Sequence, residues 1–248
     1  MKKTQGLSPN QERIMSILEY KRIELIKRHE LIDLIKKYEV SKNPEFLIKS
    51  LLRKKRLISI KNGVYLIVPL RAVDKKVGID EYQTNKYLLG DIPYYIGLYN
   101  AFNKYHFTTQ IPNMLFVFNT KYSGYKKILS IRIKYIKIKK DKLFGVTDEK
   151  YPYSDKERTI IDVLNYPKYL GRLKRLIDEI NDSKYDKKKL IDYSIRYDSV
   201  KIMKIVGYMT KSPEIYRALK KEGKLKYYTT IRKTKMDIID KKWKIRFI

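Results

Sequence analysis

The dipeptide Asn62-Gly63 stands between two short apolar runs, residues 57–60 and 64–67, and constrains the fold more than any other feature of the chain. Asn-Gly between such runs is the strongest short-range signal for a β-hairpin, because both residues tolerate a positive φ. What precedes the hairpin is equally ordered. Ser8-Pro9 opens a first helix, serine capping and proline fitting the first turn, with Ile14, Ile17 and Leu18 at helical spacing. Residues 22–26 read as a small strand. A second helix from about His29 carries Leu31, Leu34, Ile35 and Tyr38 on one face. The turn at residues 40–44 leads into a third helix over 44–55, with Leu47, Ile48, Leu51 and Leu52 inward. Helix, strand, helix, turn, helix and hairpin in one short segment is the order of a winged helix-turn-helix over residues 1–68.

Residues 69–78, polar and bracketed by Pro69 and Gly78, predict a linker, and residues 79–248 a larger second domain. There the pattern predicts helices over 80–89 and 95–106, and a buried strand over 114–118. Residues 131–137 alternate as a strand with a basic outer face. Ser154 and Glu157 have capping-box spacing before the stripe Ile160, Ile161, Val163 and Leu164. Helices follow over 172–181, 187–193, 200–210 and 213–221, then short strands over 227–232 and 244–247. The expected fold class is α+β, with strands early in the second domain and a helical C-terminal part.

Charge indicates what such a fold would meet. The chain has 57 Lys and Arg against 27 Asp and Glu, a net +30. Residues 1–68 hold 16 basic and 7 acidic side chains, a net +9, which leaves +21 for the rest. A bias toward lysine accounts for the number of cations but not for the imbalance, and a field of this size attracts polyanions. If the third helix buries its leucines, its outer face carries Lys42, Phe46, Lys49, Ser50, Arg53 and Arg56. Those residues supply donors for guanine, an apolar contact for a thymine methyl and cations for phosphate. Asn43 and Glu45 stand near its start. Lys61 and Asn62 lie at the hairpin tip, and Arg28 and His29 open the second helix, where backbone phosphate is gripped. A second basic stretch, residues 121–142, has nine basic residues against one acidic, interleaved with Tyr122, Tyr125 and Tyr135.

Enzyme chemistry finds little in the residues. The chain has no cysteine and two histidines, so no thiol chemistry or His-based metal cluster is expected, and no phosphate-binding glycine loop occurs. Asp155, Glu157 and Asp162 could hold magnesium as in a nuclease, but the first two are expected to cap and complement a helix. No catalytic residue, metal or cofactor is expected. No apolar run reaches membrane-span length and the N-terminus has no signal-peptide core, so a cytoplasmic protein without a membrane partner is expected.

Three stretches resemble the AbiEi family, antitoxins of bacterial and archaeal abortive-infection toxin–antitoxin systems. The first is the hairpin Arg56-Leu57-Ile58-Ser59-Ile60-Lys61-Asn62-Gly63-Val64-Tyr65. The second is Pro93-Tyr94-Tyr95-Ile96-Gly97-Leu98-Tyr99-Asn100-Ala101-Phe102 with His106 and Gln110-Ile111-Pro112, then the strand over 114–118. The third is Phe144-Gly145 with Asp155-Lys156-Glu157-Arg158-Thr159-Ile160-Ile161-Asp162; Gly171 and a Val206-Gly207-Tyr208 turn complete the set. Gly97 and Asn100 depart from the small polar residue and serine usual in the family. The resemblance implies a repressor that binds repeats in its own promoter through the first domain. It implies a second domain that gives antitoxicity and helps multimerisation on DNA. The implied partner is a nucleotidyltransferase-like toxin, countered without a stable complex. Arg158, Thr159 and Asp162 are the residues it brings forward for antitoxin function, though an arginine and an aspartate four residues apart also support their own helix. The alternative is a stand-alone winged-helix transcription factor with a ligand-binding or dimerisation domain, and after it a magnesium-dependent nuclease.

Overall fold

The computed structural model describes residues 6–72, 78, 80–231 and 238–248. It is a mixed α+β chain that divides into two compact units, Met1–Gly90 with Ile128–Ser130, and Asp91–Lys127 with Ile131–Ile248. Most of the expected linker, residues 73–77, lies outside the described residues, as does residue 79.

In the first unit, α1 (Pro9–Tyr20) begins as the Ser8-Pro9 signal predicts, and the Ser8 N–H is taken by Gln11 Oε1 at 2.9 Å. Strand β1 (Leu25–Lys27) leads into α2 (Arg28–Lys37), and α3 (Pro44–Arg53) follows. Asn43 caps α3, its side-chain oxygen accepting from Phe46 N at 3.0 Å. The hairpin β2 (Leu57–Lys61) and β3 (Val64–Ile67) then completes an antiparallel sheet in the order β1-β3-β2. Gly63 alone uses the left-handed region at the turn, with φ 71°; Asn62 does not. The apolar faces of α1, α2 and α3 meet through Ile14, Leu18, Leu31, Ile35, Leu47 and Leu51, against Ile26 and Tyr65 of the sheet. Full burial of an aliphatic side chain contributes roughly 1.5–3 kcal/mol, so these helices are held by their shared core more than by propensity. Helix α4 (Glu81–Leu89), expected to start the second domain, falls in the first unit.

The second unit is built on a four-stranded sheet in the order β4-β5-β7-β6: β4 (Tyr94–Ile96), β5 (Leu115–Asn119), β6 (Gly124–Ile128) and β7 (Ile131–Lys137). Strands β5 and β7 are parallel and β4 is antiparallel to β5. The expected helix over 95–106 is a strand followed by α5 (Leu98–Lys104). Tyr95 pairs with Phe118, and the Ile96 N–H is taken by Pro152 O, so ladder bonds to remote segments override local helical spacing. The apolar pattern does not predict strand β6.

Helix α6 (Lys156–Asn165) is central to the core, buried along nearly its whole length. The expected Ser154–Glu157 capping box does not form. Asp155 is the cap, its side chain accepting from Arg158 N at 2.8 Å, while Ser154 Oγ meets Thr159 Oγ1 and Glu157 Oε1 accepts from Asp186 N. Helices α7 (Leu173–Asn181), α8 (Lys187–Arg196), α9 (Val200–Thr210) and α10 (Pro213–Lys221) extend the core. Residues 206–208 are inside α9 and do not form the expected turn. Gly207 is needed there: a Cβ on it would lie 2.2 Å from the ring of the buried Trp243. Three short strands, β8 (Thr229–Ile231), β9 (Ile238–Asp240) and β10 (Ile245–Phe247), close the chain in the order β8-β10-β9.

Candidate nucleic-acid interface

Helix α3 separates its residues by chemistry. Leu47, Ile48 and Leu51 are buried, while Lys49 and Arg53 are exposed and Phe46 is 63% exposed. Among the described residues no carboxylate pairs with Lys49 or Arg53. Lys42 and the capping Asn43 are exposed just ahead of the helix. The result is an open strip of two cations and an aromatic ring on one side of a short rigid rod.

Several residues expected on this strip or at the hairpin tip are committed elsewhere. Ser50 is buried, and its Oγ accepts from Gln11 Nε2 at 2.6 Å, so it joins α3 to α1 and cannot meet a base. Arg56 Nη1 donates to Pro69 O at 2.7 Å, and Lys61 Nζ donates to Leu88 O at 2.9 Å. Those bonds tie both ends of the hairpin, and Lys61 and Asn62 are exposed at its turn. Glu45 faces Arg28, with Nη2 2.6 Å from Oε2, and that bond raises the guanidinium pKa further. The pair is neutral overall, so Arg28 and Glu45 together bring no net charge to the strip at the α2 end.

The structure also joins residues that are far apart in the sequence. Lys27, Arg28 and His29 at the start of α2 meet Lys61, Asn62 and Gly63 of the hairpin around an open groove of about 480 Å³. Lys27 and Tyr87, which also line it, are not among the residues expected from the sequence. Lys27 ends a strand and Tyr87 lies on α4, and neither has a sequence pattern of its own.

Arg158, Thr159 and Asp162 are in a different situation: each is 0% exposed. Arg158 Nε donates to Asp162 Oδ1 at 3.0 Å, its Nη1 to Lys142 O at 2.6 Å, and its Nη2 to Tyr95 Oη at 2.7 Å. Tyr95 in turn donates to Asp162 Oδ2 at 3.0 Å, which closes a ring of three side chains. Burial pushes the Asp162 carboxyl up, the attraction of Arg158 and two donated bonds pull it back, and it comes to about 6. The Arg158 charge and the two donated bonds favour the ionised carboxylate against its burial. Burial opposes the Arg158 charge, but Asp162, Tyr95 and Tyr197 together raise its pKa. These residues hold α6 to the sheet and to the segment over 142–144; none can touch a partner directly.

The carboxylates considered for magnesium do not converge. Asp155 caps α6 and meets Lys189 Nζ at 3.1 Å, Glu157 meets the same ammonium at 3.2 Å, and Asp162 is sealed with Arg158. Among the described residues no group of three or more potential ligands could hold a metal ion, and no helix is long and apolar enough to cross a membrane.

No family model matches the chain, and no curated protein matches it. Among solved structures, the chain is similar to the RV2827C protein from Mycobacterium tuberculosis, known from a crystal structure. The TM-score is 0.68 at 13% identity, over 98% of this chain and 92% of that one. At that identity the likeness is one of fold.

Proposed function

We propose that the first unit is a winged helix-turn-helix that binds operator DNA, with α3 in the major groove and the β2–β3 hairpin as the wing. The observation that carries this reading is the outer face of α3, where Lys49 and Arg53 are exposed beside an exposed Phe46 and, among the described residues, pair with no carboxylate. The element order and the net +30 support it, since unneutralised cations on one face suit a phosphate backbone. The protein then acts as a repressor and antitoxin of an AbiE-like system, a role supported by the resemblance of its sequence to that family. Its functional partner is a nucleotidyltransferase-like toxin countered without a stable complex, and operator binding involves repeats and self-association. Arg158, Thr159 and Asp162 serve the second unit by holding α6 in place. The reading includes no catalytic step and no cofactor.

The test is binding to a duplex from the region upstream of its own gene. Wild type with about six phosphate contacts loses on the order of 10³-fold in affinity between 50 and 200 mM salt. Lys49→Ala with Arg53→Ala abolishes the shifted band. Wild-type affinity from that double variant would refute the assignment of α3. For the antitoxin role, the neighbouring gene should encode a nucleotidyltransferase-like protein whose toxicity the full chain relieves on co-expression; absence of such a gene, or toxicity that the full chain does not relieve, points to a stand-alone regulator instead.

A further inference from the structure

In the second unit, residues 125–127 of β6 and 131–137 of β7 carry a surface that operator binding does not use. Side chains alternate across a strand, so Arg132 and Lys134 share one face of β7, as Tyr125 and Lys127 share one face of β6. Lys134 Nζ sits 3.8 Å from the centre of the Tyr125 ring, which places both pairs on the same side of these two strands. Lys134 also approaches Tyr169 at 5.8 Å, and Lys168 lies 5.0 Å from that ring. Tyr169 is backed by the buried Phe116, with ring centres 5.4 Å apart, so its position is fixed by the core. Tyr125 is 67% exposed, and Lys127, Arg132 and Lys168 are exposed. Among the described residues no carboxylate pairs with any of these four cations.

Four like charges gathered on one face oppose folding through mutual repulsion, and nothing described within the unit neutralises them. A polyanion does. Duplex DNA would meet the cations but leave the tyrosines without a role, because its bases are already stacked on one another. A strand with unstacked bases meets both: phosphates on the lysines and arginine, bases on the exposed Tyr125 ring and the half-buried Tyr169 ring. The order of residues, with a ring on the outer strand and cations on the next, gives a stacking surface beside a charged track. We propose that this face binds single-stranded nucleic acid, with Tyr125 as the principal stacking platform, Tyr169 as a second, and Lys127, Arg132, Lys134 and Lys168 as phosphate contacts. This does not depend on α3 or on the antitoxin reading.

The test uses the full chain and labelled 12-nucleotide oligo-dT and oligo-rU, read by fluorescence anisotropy. Binding to either strand is expected; equal affinity assigns base and phosphate alone, and preference for rU adds a 2′-hydroxyl contact. Tyr125→Ala should weaken binding about 5- to 150-fold and Tyr125→Phe should retain it, as loss or retention of one stacked base requires. Arg132→Ala with Lys134→Ala should lower the salt slope by about 1.4, at roughly 0.7 for each phosphate no longer neutralised. Lys49→Ala with Arg53→Ala should leave single-strand affinity unchanged, so this proposal and the duplex proposal fail separately. Absence of single-strand binding at 100 mM salt, or equal affinity of Tyr125→Ala and wild type, would overturn it. So would a parallel loss of duplex binding in the Tyr125→Ala variant.

Discussion

Helices α3 and α6 are each ten residues long, each starts on a side-chain cap from Asn43 or Asp155, and each carries an arginine, yet they use charge in opposite ways. On α6 the polar residues face inward: Glu157, Arg158, Thr159 and Asp162 are buried, and each has internal partners. On α3 Leu47, Ile48 and Leu51 face inward, and Lys49 and Arg53 face water beside the exposed Phe46. The difference follows from what packs around each helix. Helix α6 is surrounded by sheet and helices, so every polar group on it must be satisfied within the protein. Helix α3 packs along one side alone, and its charge stays available to a partner.

The largest effect that tests this contrast is on stability. Asp162→Ala leaves Arg158 buried without its counter-charge, and removal of one member of a buried pair costs about 3–5 kcal/mol. Chemical denaturation of the variant should show that loss; a change under about 1 kcal/mol would mean that water reaches Arg158 and that α6 is not sealed. The double change Arg158→Met with Asp162→Leu sharpens the point. It should be less destabilising than Asp162→Ala, because no unpaired charge remains.

A smaller effect tests the boundary between the two sides of α3 itself. Ser50→Ala removes the acceptor for Gln11 Nε2 inside the α1–α3 contact and should cost about 1–2 kcal/mol, as an unmade buried hydrogen bond does. Its duplex affinity, measured well below the melting temperature, should equal that of wild type. Unchanged stability with weakened duplex binding would place Ser50 on the outer face after all.

Ser50 also shows where sequence reading stops. The helices and hairpin of the first unit are legible because their signals are local: Ser8-Pro9, Pro44 and Asn62-Gly63 act on their own neighbours. The exposed cations of α3 are legible too, since burial of Leu47, Ile48 and Leu51 determines which way Lys49 and Arg53 point. Partners that lie far along the chain are not. Gln11 is 39 residues from Ser50, and the carbonyls that engage Arg56 and Lys61 belong to Pro69 and Leu88. The same limit hides β4, whose strand state depends on Phe118 and Pro152, and β6, a polar edge strand whose sheet neighbour is β7.

The smallest stability effect belongs to Phe46, and it separates two kinds of contact on the outer face of α3. A ring 63% exposed and absent from the first unit's core contributes little to folding, so Phe46→Ala should change stability by less than about 0.5 kcal/mol. A loss of about 2 kcal/mol or more would mean that the ring packs on the body of the unit and is not presented to a partner. Binding should respond differently. If α3 enters a major groove, removal of Phe46 deletes an apolar contact and no charge, so duplex affinity should fall by the same factor at every salt concentration. Lys49→Ala should instead flatten the salt dependence by about 1. Titrations of the two single variants at 50, 100 and 200 mM salt distinguish these outcomes: parallel lines against wild type for Phe46→Ala, and a shallower line for Lys49→Ala. Equal slopes from both variants would mean that Lys49 touches no phosphate, and the open side of α3 would then lose its claim to the backbone even if it still binds DNA.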